Sequence, residues 1–146
     1  MLATPAVVDA LNAVLANTYA LAVKTHAAHW NVQGAGFFAL HDAFSKQYEE
    51  LLDAADELAE RLRALGQRAP SGLKAIASAA TLRDHGNDGG IALCGELRDD
   101  HRIMAAACTT ALKAAQTAGD EATADLLIGR IDSHDKTAWM LAAAAA

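Results

Sequence analysis

Three of the six histidines, His26, His29 and His41, fall within sixteen residues, and the stretch from 42 to 60 holds Asp42, Glu49, Glu50, Asp53, Asp56, Glu57 and Glu60. Imidazole with carboxylate is a hard-to-borderline donor set that suits iron, manganese or zinc. Acidic residues on a long helix are more often a solvated face, so donor type alone decides little and spacing decides more. Asp56 and Glu60 stand four residues apart, about 40° round a helix and ~6 Å along it, so both carboxylates can converge on one cation while Glu57 turns to solvent. His41 lies fifteen residues before Asp56, ~22 Å away on the same helix, and cannot share their metal within one chain, although the two azimuths differ by only about 60°. Two copies of this helix crossing antiparallel near residue 50 would bring His41 of each beside Asp56 and Glu60 of the other, twice, by a two-fold axis. The pattern therefore implies a metal site completed at a dimer interface. A di-iron site inside one bundle uses Glu-x-x-His on each of two helices, and no Glu here is followed by His at the third position.

Helices must carry these residues. Val7, Leu11, Val14, Thr18, Leu21, Thr25, Ala28 and Val32 recur every three or four positions behind a Thr4 cap and Pro5, which predicts a helix over roughly 4–33. After Gly34-Ala35-Gly36 the same spacing runs from Phe37 through Phe44, Tyr48, Leu51 and Leu58 to Leu65, where Gly66 stops it. A short helix fits Ser71–Ser78, before the polar stretch 84–90. Ile91, Leu97, Met104, Cys108 and Leu112 mark a third long helix ending near Gly119, and Leu126, Leu127, Ile131, Trp139 and Leu141 mark a fourth, with the alanines at 142–146 as a fraying end. Gly34–Ala39 formally matches a dinucleotide fingerprint, but a helix precedes it where a strand is required, so that reading is discarded. The expectation is an all-α single domain over 1–146: a four-helix bundle whose second-to-third crossover carries a short helix, as in ferritin-like bundles.

Composition narrows the function. A chain of 146 residues with 53% hydrophobic residues, 21% charged and 2 Pro has the makings of one packed core and excludes disordered and collagen-like classes. The net charge of −6 offers no generic attraction to nucleic acid, and a polybasic membrane patch is absent. The first 25 residues lack a basic region ahead of their apolar positions, and no run reaches 18 apolar residues, so a cytoplasmic chain with no membrane association is expected. Cys94 and Cys108 are fourteen residues apart on one helix, ~21 Å, too far for a disulfide, and read as buried thiols.

The string His29-Trp30-Asn31-Val32-Gln33-Gly34, then Phe37, Leu40-His41, Phe44, Tyr48, Asp56 and Ala59-Glu60-Arg61 leading to Leu65-Gly66, resembles the Dps family of mini-ferritins, proteins that protect DNA during starvation. Lys136-Thr137-Ala138-Trp139-Met140-Leu141 is similar to the family's closing motif, so the likeness covers essentially the whole chain. The resemblance implies a ferroxidase: a hollow shell of twelve subunits, built from dimers, that oxidises Fe(II) with hydrogen peroxide or O2, stores the ferric iron and limits oxidative damage. It also implies the ligands, His29 and His41 from one subunit with Asp56 and Glu60 from its two-fold partner, in agreement with the helix geometry.

One departure matters. Four residues after the second histidine the family places a carboxylate that bridges two metals, and here that position is Ser45. A neutral hydroxyl is a weak ligand, so one iron should be held well and the second poorly. Asp42 and Glu49, about 100° and 80° round the helix from His41, replace it only with rotamer help. His26, one turn before His29, is an auxiliary ligand or a hydrogen-bonded structural histidine. Trp30 and Tyr48 are core packing or acceptors of oxidising equivalents. Asp120 and Asp125 either line an acidic three-fold pore, as the resemblance implies, or stabilise a helix N-terminus; His85, His101 and His134 are read as surface or capping residues. The competing functions are a shell whose chemistry is impaired by Ser45 and a DNA-binding nucleoid protein. Against the latter, only Met1-Leu2-Ala3 precedes the Thr4 cap and the chain ends in alanine, so no basic tail is expected, and twelve times −6 gives about −72 for a shell.

Overall fold

The computed structural model describes residues 3–84 and 86–146, so Met1, Leu2 and His85 lie outside the described residues. Five helices follow in order: α1 (Pro5–Asn31), α2 (Phe37–Ala64), α3 (Leu73–Ala79), α4 (Gly90–Ala118) and α5 (Glu121–Ala145). The alanine run is therefore helical to Ala145. Thr4 caps α1, its Oγ1 accepting from the Val7 amide at 3.3 Å, and Pro5 occupies the first turn, where an amide donor would go unused.

The periodic apolar positions meet in one core: Leu11 and Leu21 from α1, Phe44, Leu51 and Leu58 from α2, Leu97 and Met104 from α4, and Leu127 from α5 are all fully or almost fully buried. The closest pairings are α1 with α2 and α4 with α5; α1 also lies against α4, α3 rests on α1, and α2 meets α5 only narrowly. This is the four-helix bundle with a short crossover helix that the periodicity predicts. Among the described residues only α1 has the length and apolarity to cross a membrane, a window that the run-of-18 criterion overlooks, and half of it is buried inside the bundle as a core helix.

Buried polar groups tie the crossover to α1. The Asn17 side-chain oxygen accepts from the amides of Thr81 (2.7 Å) and Leu82 (3.2 Å), and Lys24 Nζ donates to the Arg83 carbonyl at 2.8 Å while lying 2.7 Å from Asp100 of α4. That last contact is an ion pair off the hydrogen-bond axis, since Asp100 Oδ2 lacks a well-aligned donor. Burial pushes the Asp100 carboxyl up in spite of Lys24. The start of α4 is pinned beside the α1–α2 turn: a Cβ on Gly90 would lie 2.5 Å from Leu40 Cδ1, so any larger residue requires the Leu40 side chain to shift, and the Gln33 amide donates to the Asp88 carbonyl at 2.9 Å.

The turn from α4 to α5 needs two residues. Gly119 takes φ +72°, where a side chain is strained, and Asp120 caps α5 by accepting from the Thr123 amide at 3.1 Å. The buried Asp120 carboxylate also accepts from Arg61 Nη2 at 2.8 Å, which ties the end of α2 to the start of α5. Burial alone would raise this carboxyl, but the Thr123 hydroxyl and amide and the Arg61 guanidinium outweigh it and hold it below the usual carboxylate range.

Two histidines depart from expectation. His101 of α4 and His134 of α5 are not surface or capping residues: both are buried, their Nδ1 atoms 2.9 Å apart across the helix pair. Their positions on the inward faces, beside Leu97 and Met104 and beside Leu127 and Leu141, account for the burial. Burial, with Arg130 adding to it, pushes His101 down to about 4; burial, then His101 and Arg130, pushes His134 down to about 2. Cys94 and Cys108 are buried and free as expected, and burial raises both thiols, Cys108 to about 11, which keeps them unreactive. Because the unfolded chain protonates these imidazoles near 6.5 and the folded chain refuses the protons, stability should fall as pH drops from about 6.5 toward 4. Each ring contributes a slope of up to about 1.4 kcal/mol per pH unit. Denaturant titrations across that window check this; a flat profile would mean that the rings charge inside the fold.

Candidate metal centre

The histidines of the motif are built by the α1–α2 pair. His29 sits on the last turn of α1 and His41 on the second turn of α2, and the rings stack with centroids 3.8 Å apart and planes within 13°. Each binds the other's backbone: His29 Nδ1 donates to the His41 carbonyl at 2.6 Å and His41 Nδ1 to the His29 carbonyl at 2.7 Å. A carbonyl can only accept, so both rings carry a proton on Nδ1, and in the neutral tautomer this selects, the lone pair is on Nε2. That is the arrangement that orients a metal-ligating imidazole, with the backbone as outer partner. Both rings are half-buried.

Asp56 and Glu60 stand exposed on α2, one turn apart, two turns beyond the middle of the helix, with Glu57 exposed beside them. The chain does not bring them to the histidines, and among the described residues no group of three or more His, Cys, Asp or Glu side chains could hold a metal by itself. The histidine pair, built by α1 and α2, and the carboxylate pair further along α2 thus stand apart within the chain.

The neighbouring candidates are partly committed elsewhere. Asp42 pairs with Lys46 at 2.9 Å, Glu50 forms an ion pair with Arg130, and Glu49 is exposed. Ser45 is half-buried one turn after His41. His26 stacks on Tyr48, with ring centroids 4.1 Å apart, and lies 4.2 Å from Trp30, while Tyr48 meets His29 edge-on at 5.7 Å. An unbroken aromatic chain therefore leads from Trp30, which is 63% exposed and so not core, to the histidine pair. Asp120 is a buried cap, and Asp125 is exposed on the first turns of α5.

A ferritin-like domain model matches residues 8–146. General stress protein 20U of Bacillus subtilis is 33% identical over 137 residues, covering 93% of this chain and 94% of its own. DNA protection during starvation protein 2 of Bacillus anthracis is 31% identical with 94% of both chains covered, and Dps from Staphylococcus aureus superposes with a TM-score of 0.92 at 31% identity over 96% of this chain and 95% of that one. The chain belongs to the Dps family. Dps from Vibrio cholerae, with a TM-score of 0.89 at 34% identity over 94% of this chain and 87% of that one, is described as a member of a broad superfamily of ferritin-like diiron-carboxylate proteins. Membership makes the present Dps an iron-storage mini-ferritin by family.

The donor count of this Dps generates a test. With Ser45 neutral and Asp42 turned to Lys46, the two imidazoles and two carboxylates expected as ligands would, once brought together by a partner chain, serve one cation well and leave a second short of anionic ligands. Ser45→Asp should raise the occupancy of a second ion in anaerobic Fe(II) or Co(II) titrations and speed Fe(II) oxidation. Unchanged occupancy and rate would show that Glu49 or Asp42 already bridges.

Proposed function

We propose that this Dps is a ferroxidase that takes Fe(II) as substrate at a site shared by two subunits and stores the ferric product inside a dodecameric shell in the cytoplasm. The observation that carries the reading is the reciprocal His29–His41 pair, two imidazoles each held through Nδ1 by the other's backbone carbonyl, with His41 on the same helix as a carboxylate pair it cannot reach. An antiparallel two-fold crossing of α2 completes both half-sets at once. Imidazole nitrogen suits Fe(II), and the Asp56 and Glu60 oxygens favour the harder ferric product. Two Fe(II) each give one electron, and one hydrogen peroxide takes both to become two hydroxide ions, so peroxide is removed without a one-electron radical product; O2 is the second oxidant. Large apolar side chains left in solvent by the single chain, Phe38 at 86% exposed and Ile91 and Trp139 each at 66%, support burial against further copies. An acidic entry at a three-fold axis would rest on Asp125, since the Asp120 carboxylate serves its cap and Arg61.

A weaker reading has one observation in its favour: Ser45 with Asp42 held by Lys46 describes a shell with impaired chemistry. Rapid peroxide-dependent Fe(II) oxidation separates the two.

Mixed subunits test the shared site. His41→Ala and Asp56→Ala should each abolish rapid oxidation and leave a dodecamer by light scattering. Reassembled from an equal mixture, a hybrid dimer holds one intact site of two, so about a quarter of the sites, and of the rate, should return. No recovery in shells shown to be mixed would place the site within one chain, and a stable monomer at micromolar concentration would remove both shell and site.

Charge gives a second test. At −6 per chain, binding to linear duplex DNA at physiological salt should be undetectable once divalent ions are chelated. Retardation of the duplex in chelator would reveal a basic surface on the assembled shell.

A further inference from the structure

The buried histidine pair ends in a donor that nothing uses. Arg130 is anchored by its ion pair with Glu50, and its Nη2 donates to His134 Nε2 at 3.3 Å. A guanidinium can only donate, so His134 Nε2 accepts and its proton sits on Nδ1. His134 Nδ1 then donates to His101 Nδ1 at 2.9 Å, which puts the proton of His101 on Nε2. That N–H has no partner among the described residues, although His101 is only 2% exposed. A buried, unmatched donor costs about 1–3 kcal/mol and calls for an acceptor.

His101 lies on the wall of a cleft of about 270 Å³ between α2 and α5, smaller than sites for drug-sized ligands and roomy for a small ion. Gln47, half-buried on the same wall, also buries a side-chain oxygen with no partner. Turning that amide loses no hydrogen bond and presents NH2 in its place. Ser133 and Thr137 add hydroxyls and Lys136 adds an ammonium group, with Lys46, paired with Asp42, at the edge, while the one carboxylate on the wall, Glu50, is matched by Arg130. The lining is therefore rich in donors and short of acceptors. A cation is disfavoured because the relay leaves His101 a proton where a metal needs a lone pair.

We infer that this cleft binds a small tetrahedral oxyanion of the phosphate class, with Lys136, Gln47 and His101 Nε2 as its principal donors. The site is distinct from the iron half-sites, and it stands or falls without them when tested on iron-free protein. His101 variants would also disturb His134 and the α4–α5 packing, so the test uses side chains at the cleft's edge. Inorganic phosphate is titrated calorimetrically into the iron-free assembled shell, with ionic strength held constant by chloride. Saturable binding of one phosphate per chain is expected. Lys136→Ala and Gln47→Ala should each weaken it about tenfold or more, as expected for lost hydrogen bonds to an anion; Lys136→Arg should retain it, and Lys113→Ala, on the exposed side of α4, should change nothing. No saturable binding up to about 10 mM, or equal losses from Lys136→Ala and Lys113→Ala, would overturn the site and leave only diffuse attraction to surface lysines.

Discussion

A rigid helix keeps its two ends apart, and that constraint organises the rest of this molecule. α2 runs unbroken from Phe37 to Ala64, rising ~1.5 Å per residue, so His41 and Asp56 stay roughly four turns from each other however the side chains turn. Ferritin-like bundles can assemble a ligand set at their centre from facing helices; in the site proposed here the donors lie instead on an outer face, in two separate groups. The centre is free to be packed with Phe44, Leu51, Leu58 and Leu97. A bundle core that holds no ligand carboxylates avoids the desolvation cost of buried charge, and under the proposed site the chemistry would be conditional on association.

Several of the buried polar groups serve connections. Asn17 and Lys24 hold the crossover onto α1, Asp120 and Arg61 join α2 to α5, and Arg130 with Glu50 joins the same helices again further along. α2 and α5 meet only narrowly, so these two charged links do much to set their spacing. Between those links lies the polar cleft beside His101.

The fold was legible in the sequence because every long helix has an unbroken three-four spacing and a distinct stop. Thr4-Pro5, Gly66 and Gly119 mark boundaries by chemistry that operates within a few residues. The closeness of Asp56 to Glu60 and their distance from His41 were legible for the same reason, since separation along a helix is a linear quantity, whereas the pairing of His29 with His41 rested on the family resemblance. The reciprocal carbonyl bonds were not, because they depend on how closely α1 and α2 pack, and Trp30 read as core by its spacing is in fact exposed. His101 and His134 gave no signal: thirty-three residues separate them in sequence, and nothing local marks a polar residue on an inward face as one half of a buried pair. Asp120 fitted a pore and a cap equally well until Arg61 was seen to lie against it.

The two histidine pairs show how neighbours, and not residue type, decide what an imidazole does. At His29 and His41 each neighbour is a backbone carbonyl, which draws the proton to Nδ1 and leaves both Nε2 atoms as lone pairs. At His134 the neighbour is a guanidinium, which takes the Nε2 lone pair, drives the proton to Nδ1 and passes the polarity on until it emerges as an N–H on His101. One pair therefore ends in acceptors suited to a cation and the other in a donor suited to an anion. Half-burial keeps the first pair open to a partner subunit, whereas full burial, with Arg130 nearby, keeps the second neutral. Both pairs bridge antiparallel helix neighbours, α1 to α2 and α4 to α5, so the packing of each hairpin fixes the proton positions that its chemistry requires.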